Sequence, residues 1–238
     1  MDGTNTLPIT NHLLSCLSQQ QHQWFVANSA PVTLEFGEVL GEAGDNVEYV
    51  YFPVTGFISL LVAVVDAPSI EMGLIGSEGM LGATLALGNN HAPMQSLVQG
   101  EGTALRMDAE VFRQRLTSDV ALRQLIHNYL YVSLLQLAQT GACNCFHEVQ
   151  QRLARWLLMS HDRAHSEHFH LTHDFLATML GVRRSAVTIA AGVLQHEGLI
   201  SYSRGHITIL SRHGLESASC GCYGTAIDVY QKNIKRQF

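Results

Sequence analysis

Residues 171–210 read LTHDFLATMLGVRRSAVTIAAGVLQHEGLISYSRGHITIL, and their pattern decides how the second half of the chain folds. Thr172 is a residue type that caps helices, and Asp174 follows in the first turn, where a carboxylate favours the helix dipole. Phe175, Leu176, Met179 and Leu180 make a one-sided apolar face. Gly181 then ends the helix, because glycine adopts the positive φ of a tight turn at no steric cost. A second helix is predicted from about Arg183 to 196. Its apolar face is Val187, Ala190, Ala191 and Leu194, and its other face presents Arg184, Ser185, Thr188 and Ile189. After Gly198 the period falls to two, with Ile200 and Tyr202, then Ile207 and Ile209, around Ser203-Arg204-Gly205. Two helices about a glycine turn followed by a short hairpin make a winged helix-turn-helix.

Charge is divided unevenly about this stretch. The 238 residues carry a net charge of −6, but residues 1–146 hold four arginines against thirteen acidic groups, while residues 147–238 hold ten basic groups against seven acidic. Nine of the thirteen histidines also fall in the second half. That asymmetry is expected where only one half meets phosphates. With 47% hydrophobic and 14% charged residues the chain is globular. No apolar run is long enough for a membrane helix. The opening MDGTNTLPITNHLL lacks a basic region followed by an apolar core, so a cytoplasmic location and reduced thiols are expected.

Upstream, residues 9–29 read as helix, with Leu13, Leu14, Leu17, Trp24 and Phe25 on one side. From Pro31 to Leu105 short β-type runs (Val47–Phe52, Phe57–Val65, Ile70–Ile75, Met94–Val98) alternate with glycine turns, the pattern of an antiparallel β-barrel or jelly roll. Helical period returns at Ala109–Leu116 and then over Val120 to about Cys145. The long segment is apolar on more than one side. One side must cover the barrel and the other wants a partner, so Leu122, Leu125, Ile126, Tyr129, Val132 and Leu135 are expected at a homodimer seam. A helix over His147–His161 leads into the reader, and Asp228–Arg236 closes the chain as a basic helical stretch. The fold expected is therefore α+β: a sensor barrel over 1–117, a dimerisation helix over 118–146, and a winged helix-turn-helix with its tail over 147–238.

This order, with Phe36-Gly37-Glu38, Gly44, VYFPVTG at 50–56, RLARWLL at 152–158 and the run from Leu171 to Ile200, resembles the Crp/Fnr family of bacterial transcription regulators over nearly the full length. The resemblance implies a cyclic-nucleotide-binding-like N-terminal domain and a homodimer on double-stranded promoter DNA, with RNA polymerase as a further partner if it activates. Two recognition helices would enter successive major grooves, roughly 34 Å apart. By position, Arg183, Arg184, Ser185, Thr188 and Ile189 face DNA. Arg184 is the leading base reader, since arginine bonds guanine in a bidentate way. Thr172, Ser203 and Arg204 are expected at phosphates. Many members carry an acidic residue where Ser185 stands, which leaves the operator open.

Cyclic-nucleotide-binding members hold the nucleotide with a Gly-Glu pair and a later Arg-Ser. Here Ala83 follows Gly82, and Met94-Gln95 stands where Arg-Ser would be. No arginine precedes Arg106. A buried phosphate needs a cation or several donors, so cyclic AMP is not expected and the effector stays unknown. Two C-x-C pairs, Cys143/Cys145 and Cys220/Cys222, raise the alternative of a metal- or redox-responsive regulator using zinc or an iron–sulfur cluster. The histidines at 161, 165, 168, 170 and 173 could also ligate metal, or decorate the surface. A cupin-type barrel enzyme is a remote alternative, since residues 31–105 offer only His91 as a histidine ligand.

Overall fold

The computed structural model describes residues 11–164 and 166–234. The first two residues of the expected 9–29 helix, His165, and the end of the basic C-terminal stretch lie outside them. Within the described part, that first helix is divided. A 3-10 turn over Leu14–Cys16 precedes α1 (Gln19–Asn28). Ser18 interrupts them at extended backbone angles and forms a reciprocal capping box with Gln21.

The N-terminal half is an antiparallel jelly-roll-like sheet that does not close into a barrel. Its strands are β1 (Ala30–Leu34), β2 (Val39–Gly41), β3 (Tyr49–Val64), β4 (Ala67–Ile75) and β5 (Gln95–Asp108), in the order β1-β5-β3-β4 with β2 also on β5. The two runs expected at 47–52 and 57–65 are one 16-residue strand. It pairs with β5 from Tyr49↔Asp108 to Leu61↔Gln95, and its register shifts between Pro53 and Ile58. Those bulges bend the sheet. Gly56 sits at φ +73°, and a Cβ there would collide with the backbone oxygens of Gly100 and Glu101. The bend therefore rests on backbone passing directly over backbone.

Two helices follow. α2 (Ala109–Ser118) is capped by Asp108, and α3 (Val120–Phe146) by Asp119. At 27 residues α3 is about 40 Å long. Its stripe Leu122, Leu125, Ile126, Tyr129 and Val132 is buried in the subunit's own core with Phe25, Phe52, Met107 and Phe112. This corrects the expected seam. Five of the six residues assigned to a dimer interface are fully engaged inside one chain, and Leu135 is half-buried. The cluster of edge-to-face rings at Phe25, Phe52 and Phe112 needs an apolar helix over it, and this stripe fills that need. The face left outside carries Gln124, His127, Tyr131, Leu134, Ala138 and Cys145.

His147 takes extended angles and turns the chain from α3 into α4 (Val149–Ala164). α4 is buried on nearly every side, including Arg152, Arg155 and Arg163. Three of the ten basic groups of the second half thus lie inside the protein rather than on its surface. The charge offered to a partner comes instead from exposed arginines such as Arg183, Arg184 and Arg204.

Around α4 pack α5 (His173–Leu180), α6 (Arg184–His196) and a sheet of β6 (His168–His170), β8 (His206–Ile209) and β7 (Ile200–Ser203), in that order. β6 was not anticipated. α7 (Arg212–Ala218) and α8 (Cys222–Asn233) complete the chain. Arg212 donates to Asp162, Glu216 and Tyr223 Oη, which fastens α7 and α8 to α4. α8 then leaves the reader and runs along α3. Tyr230 Oη donates to the Glu78 carbonyl at 2.8 Å, and Ile234 is buried in the N-terminal core.

Sensor and reader meet over a broad contact. Trp156 Nε1 donates to Glu71 Oε1 at 2.9 Å, Arg163 pairs with Glu78 at 2.6 Å, and the Phe36 and Phe175 rings lie 6.4 Å apart.

Candidate nucleic-acid interface and sensor cavity

The reader places its predicted residues together. Thr172 accepts from Phe175 N at 3.1 Å and starts α5, and Gly181 at φ +61° ends it. Arg183 is the N-cap of α6, and no side chain caps that helix. Its first amides therefore remain available to an anion. Arg183, Arg184, Ser185, Thr188 and Ile189 are all exposed, and Ile189 is 69% exposed. They form one outward face, while Val187, Ala190, Ala191 and Leu194 are buried beneath it. In the wing, Arg204 at φ +49° and Gly205 at φ +83° form the two-residue turn between β7 and β8. The turn matches the twist of the strands and projects Ser203 and Arg204 outward.

Two of these side chains have partners that the sequence did not reveal. Arg184 Nε lies 3.3 Å from Asp174 Oδ2. Both groups are well exposed, so the pair is worth little and yields readily to a stronger acceptor. Thr188 Oγ1 lies 2.9 Å from His173 Nδ1, and the His173 ring stacks on Tyr202 at 4.4 Å. Burial, then the Arg184 charge, lower the His173 pKa from its ordinary value, against the opposing Asp174 charge. His173 and Tyr202 thus hold α6 to the wing. Adjacency of His173 to a capping threonine was the one available clue.

The sensor holds a cavity of about 890 Å³ between the roll and α3. Tyr49, Tyr51, Met80, Met94, Tyr129 and Leu137 are among its walls, and no lysine or arginine is among the described residues lining it. Burial pushes the Tyr129 phenol up to about 12, and its hydroxyl donates to the Met80 carbonyl at 3.3 Å. Met80 ends a loop from Gly76 that borders the cavity. The loop touches α4 through Glu78–Arg163 and α8 through Tyr230.

The sequence matches the cyclic nucleotide-binding domain family over residues 31–119 and the Crp-like helix-turn-helix domain family over residues 151–218. The two domains occur in this order on either side of α3. The chain carries the two domains of a Crp/Fnr-type transcription regulator. Solved structures agree in fold. A Crp/Fnr-family transcriptional regulator from Eubacterium rectale is 17% identical, with 87% of this chain and 97% of that one covered and a TM-score of 0.67. FixK2 from Bradyrhizobium japonicum is 15% identical, with 81% and 98% covered and a TM-score of 0.68. The c-di-GMP-responsive regulator CLP from Xanthomonas campestris is 17% identical, with 79% and 97% covered and a TM-score of 0.64. Comparison with curated proteins gives no match.

Within this Crp/Fnr-type chain the cysteines are not grouped as two C-x-C pairs. Cys143, Cys220 and Cys222 are buried together beside His147, and Cys145 is exposed elsewhere on α3. The histidines proposed as a second ligand set are used separately. His161 accepts from Arg212, His168 Nδ1 lies 3.1 Å from Thr208 Oγ1, and His170 packs edge-on against His206. Among the described residues they form no common metal site. No single described helix is long and apolar enough to cross a membrane.

Proposed function

We propose that this regulator binds a two-fold symmetric promoter site as a homodimer, with α6 of each subunit in a major groove. The observation that carries this is the exposed α6 face, with its uncapped N-terminus and the wing arginine beside it. Arg184 reads a base edge, in exchange for its weak pair with Asp174. Arg183, Ser185 and Thr188 reach bases or phosphates, Ile189 meets a thymine methyl, and Thr172, Ser203 and Arg204 fix register on the backbone. The second subunit docks along the outer face of α3, where Gln124, Tyr131, Ala138 and Cys145 recur every seven residues and His127 and Leu134 fall between them. Tyr131 and Leu134 are 53% and 63% exposed in the single chain. Contact with RNA polymerase follows only if the protein activates.

The effector is an uncharged small molecule. Walls without a cation do not compensate a buried phosphate, so neither cyclic AMP nor another cyclic nucleotide is expected. Occupancy acts on α4 through the Gly76–Met80 loop and the Glu78–Arg163 pair, by changing which placement of the reader is favoured.

Selection of bound sequences from random DNA, followed by binding measurements on the selected site, tests this reading. Arg184→Ala is expected to lose about 1–3 kcal/mol, roughly 5- to 150-fold, and to relax specificity at one base pair. Leu134→Glu is expected to give monomers in native mass spectrometry. Unchanged site affinity in the first variant removes the role assigned to Arg184, and a persistent dimer in the second removes the seam.

A further inference from the structure

Four potential ligands converge where three elements meet. Cys143 lies in the last turn of α3, and His147 is the extended residue at the bend into α4. Cys220 and Cys222 flank Gly221 at the turn from α7 to α8. Cys143 Sγ and Cys220 Sγ are 3.5 Å apart, as are Cys222 Sγ and His147 Nδ1. All four ligand atoms lie within 4.8 Å of one another.

Several other features separate this group from ordinary packing. The three thiols are almost fully buried and form a cluster of their own, apart from the large cores of sensor and reader. A tetrahedral zinc ion with bonds of about 2.3 Å to sulfur and about 2.0 Å to nitrogen sets its ligand atoms about 3.5–3.8 Å apart. Two of the pairs here stand at 3.5 Å, and the other pairs, all within 4.8 Å, need only a small inward movement to reach it. Gln139 Nε2 donates to Cys222 Sγ at 3.0 Å, an orienting contact typical of the groups around metal ligands. Three thiolates and one imidazole on Zn²⁺ leave a single negative charge, within the range of such structural sites. Helix geometry also explains the choice of thiols. Residues two apart on a helix point to nearly opposite sides, so Cys145 is turned away from Cys143, while His147, just past the helix end, is held over Cys143 by donating its N–H to the Cys143 carbonyl at 3.1 Å.

We propose that Cys143, His147, Cys220 and Cys222 are the ligands of a zinc ion that clasps the α3–α4 bend to the α7–α8 turn. Binding forms three Zn–S bonds and one Zn–N bond. The three thiol protons leave to solvent, and the unprotonated ring nitrogen of His147 supplies a lone pair, any proton on it leaving to solvent as well. Zinc is redox-inert, so no electron is transferred. The clasp fixes the angle at which the reader leaves α3, and so ties DNA binding to zinc supply.

The test uses untagged full-length protein, made under reducing conditions, incubated with zinc chloride and desalted. One equivalent of zinc per chain is expected, falling to background in Cys222→Ser and in His147→Gln. His147→Gln alters a half-exposed residue outside both cores, and its circular dichroism spectrum checks that it folds. Cys145→Ser is expected to keep the metal. Replacement by cobalt(II) is expected to give intense thiolate-to-cobalt absorption, lost in the same two variants. Overturning outcomes are a folded wild-type protein that retains no zinc, full zinc content in both ligand variants, or iron with inorganic sulfide in place of zinc.

Discussion

The α6 face turns two arginines, a serine, a threonine and an isoleucine toward solvent, while the sensor cavity is walled mostly by tyrosines and apolar side chains, with Asp45, Glu48 and Glu78 as its charged groups and no lysine or arginine among the described residues lining it. The outward face works through side chains on a regular helix. The inward site is shaped by backbone, since the roll that encloses it bends where Gly56 passes over Gly100 and Glu101. A surface reader can therefore change its target by single substitutions, whereas the cavity keeps its frame and changes only its lining.

Three substitutions sharpen this contrast. The largest effect is expected from Gly56→Ala, because a Cβ there meets carbonyl oxygens that cannot move without unpairing β3 from β5. A loss of about 4 kcal/mol in denaturant unfolding is expected, and a loss under about 1 kcal/mol means that the frame yields. Next comes Glu71, buried at the junction between the two regions. Burial pushes its pKa from 4.5 up to about 7, against the opposing hydrogen bonds from Ser59 and Trp156. A carboxyl group whose folded pKa lies above its unfolded one contributes full stability below pH about 4.5 and loses it as pH rises through 7. The loss is about 3 kcal/mol. Glu71→Gln is expected to flatten the fall in melting temperature between pH 5 and pH 8; parallel curves for wild type and variant contradict it. The smallest effect is expected from Gly181→Ala. The left-handed conformation costs about 1–2 kcal/mol for alanine, and the new Cβ meets the flexible tip of Ile70 at 2.5 Å rather than backbone. Thermal melting is expected to show that modest loss, and a loss as large as that of Gly56→Ala erases the distinction.

The winged helix-turn-helix was legible because each of its elements shows its own period. Apolar spacing predicted α5 and α6, Gly181 marked the turn between them, and alternation around Arg204-Gly205 marked the wing. β6 was hidden because His168-Phe169-His170 is too short to show alternation. The range of α3 could be read, but not its facing. Both of its sides are apolar, and the ring cluster of Phe25, Phe52 and Phe112, assembled from three distant segments, selects which side is buried. The same limit applies to the cysteines. Pairing by adjacency joined Cys143 to Cys145, whereas the fold joins Cys143 to residues 77 and 79 positions away. Glu71 and Trp156 meet across 85 positions, and nothing in either local sequence announces the other.

The course of α8 sets the kind of motion open to the reader. The chain enters the reader at His147 and returns to the sensor through Tyr230 and Ile234, so the reader is tied to the sensor at both ends of its chain. A door on a single hinge swings freely, whereas a panel fastened along two edges shifts only when the contacts between them also give way. Here those contacts are Trp156 on Glu71, Arg163 on Glu78 and Phe175 against Phe36, so any displacement of α6 relative to the roll has to break or remake them.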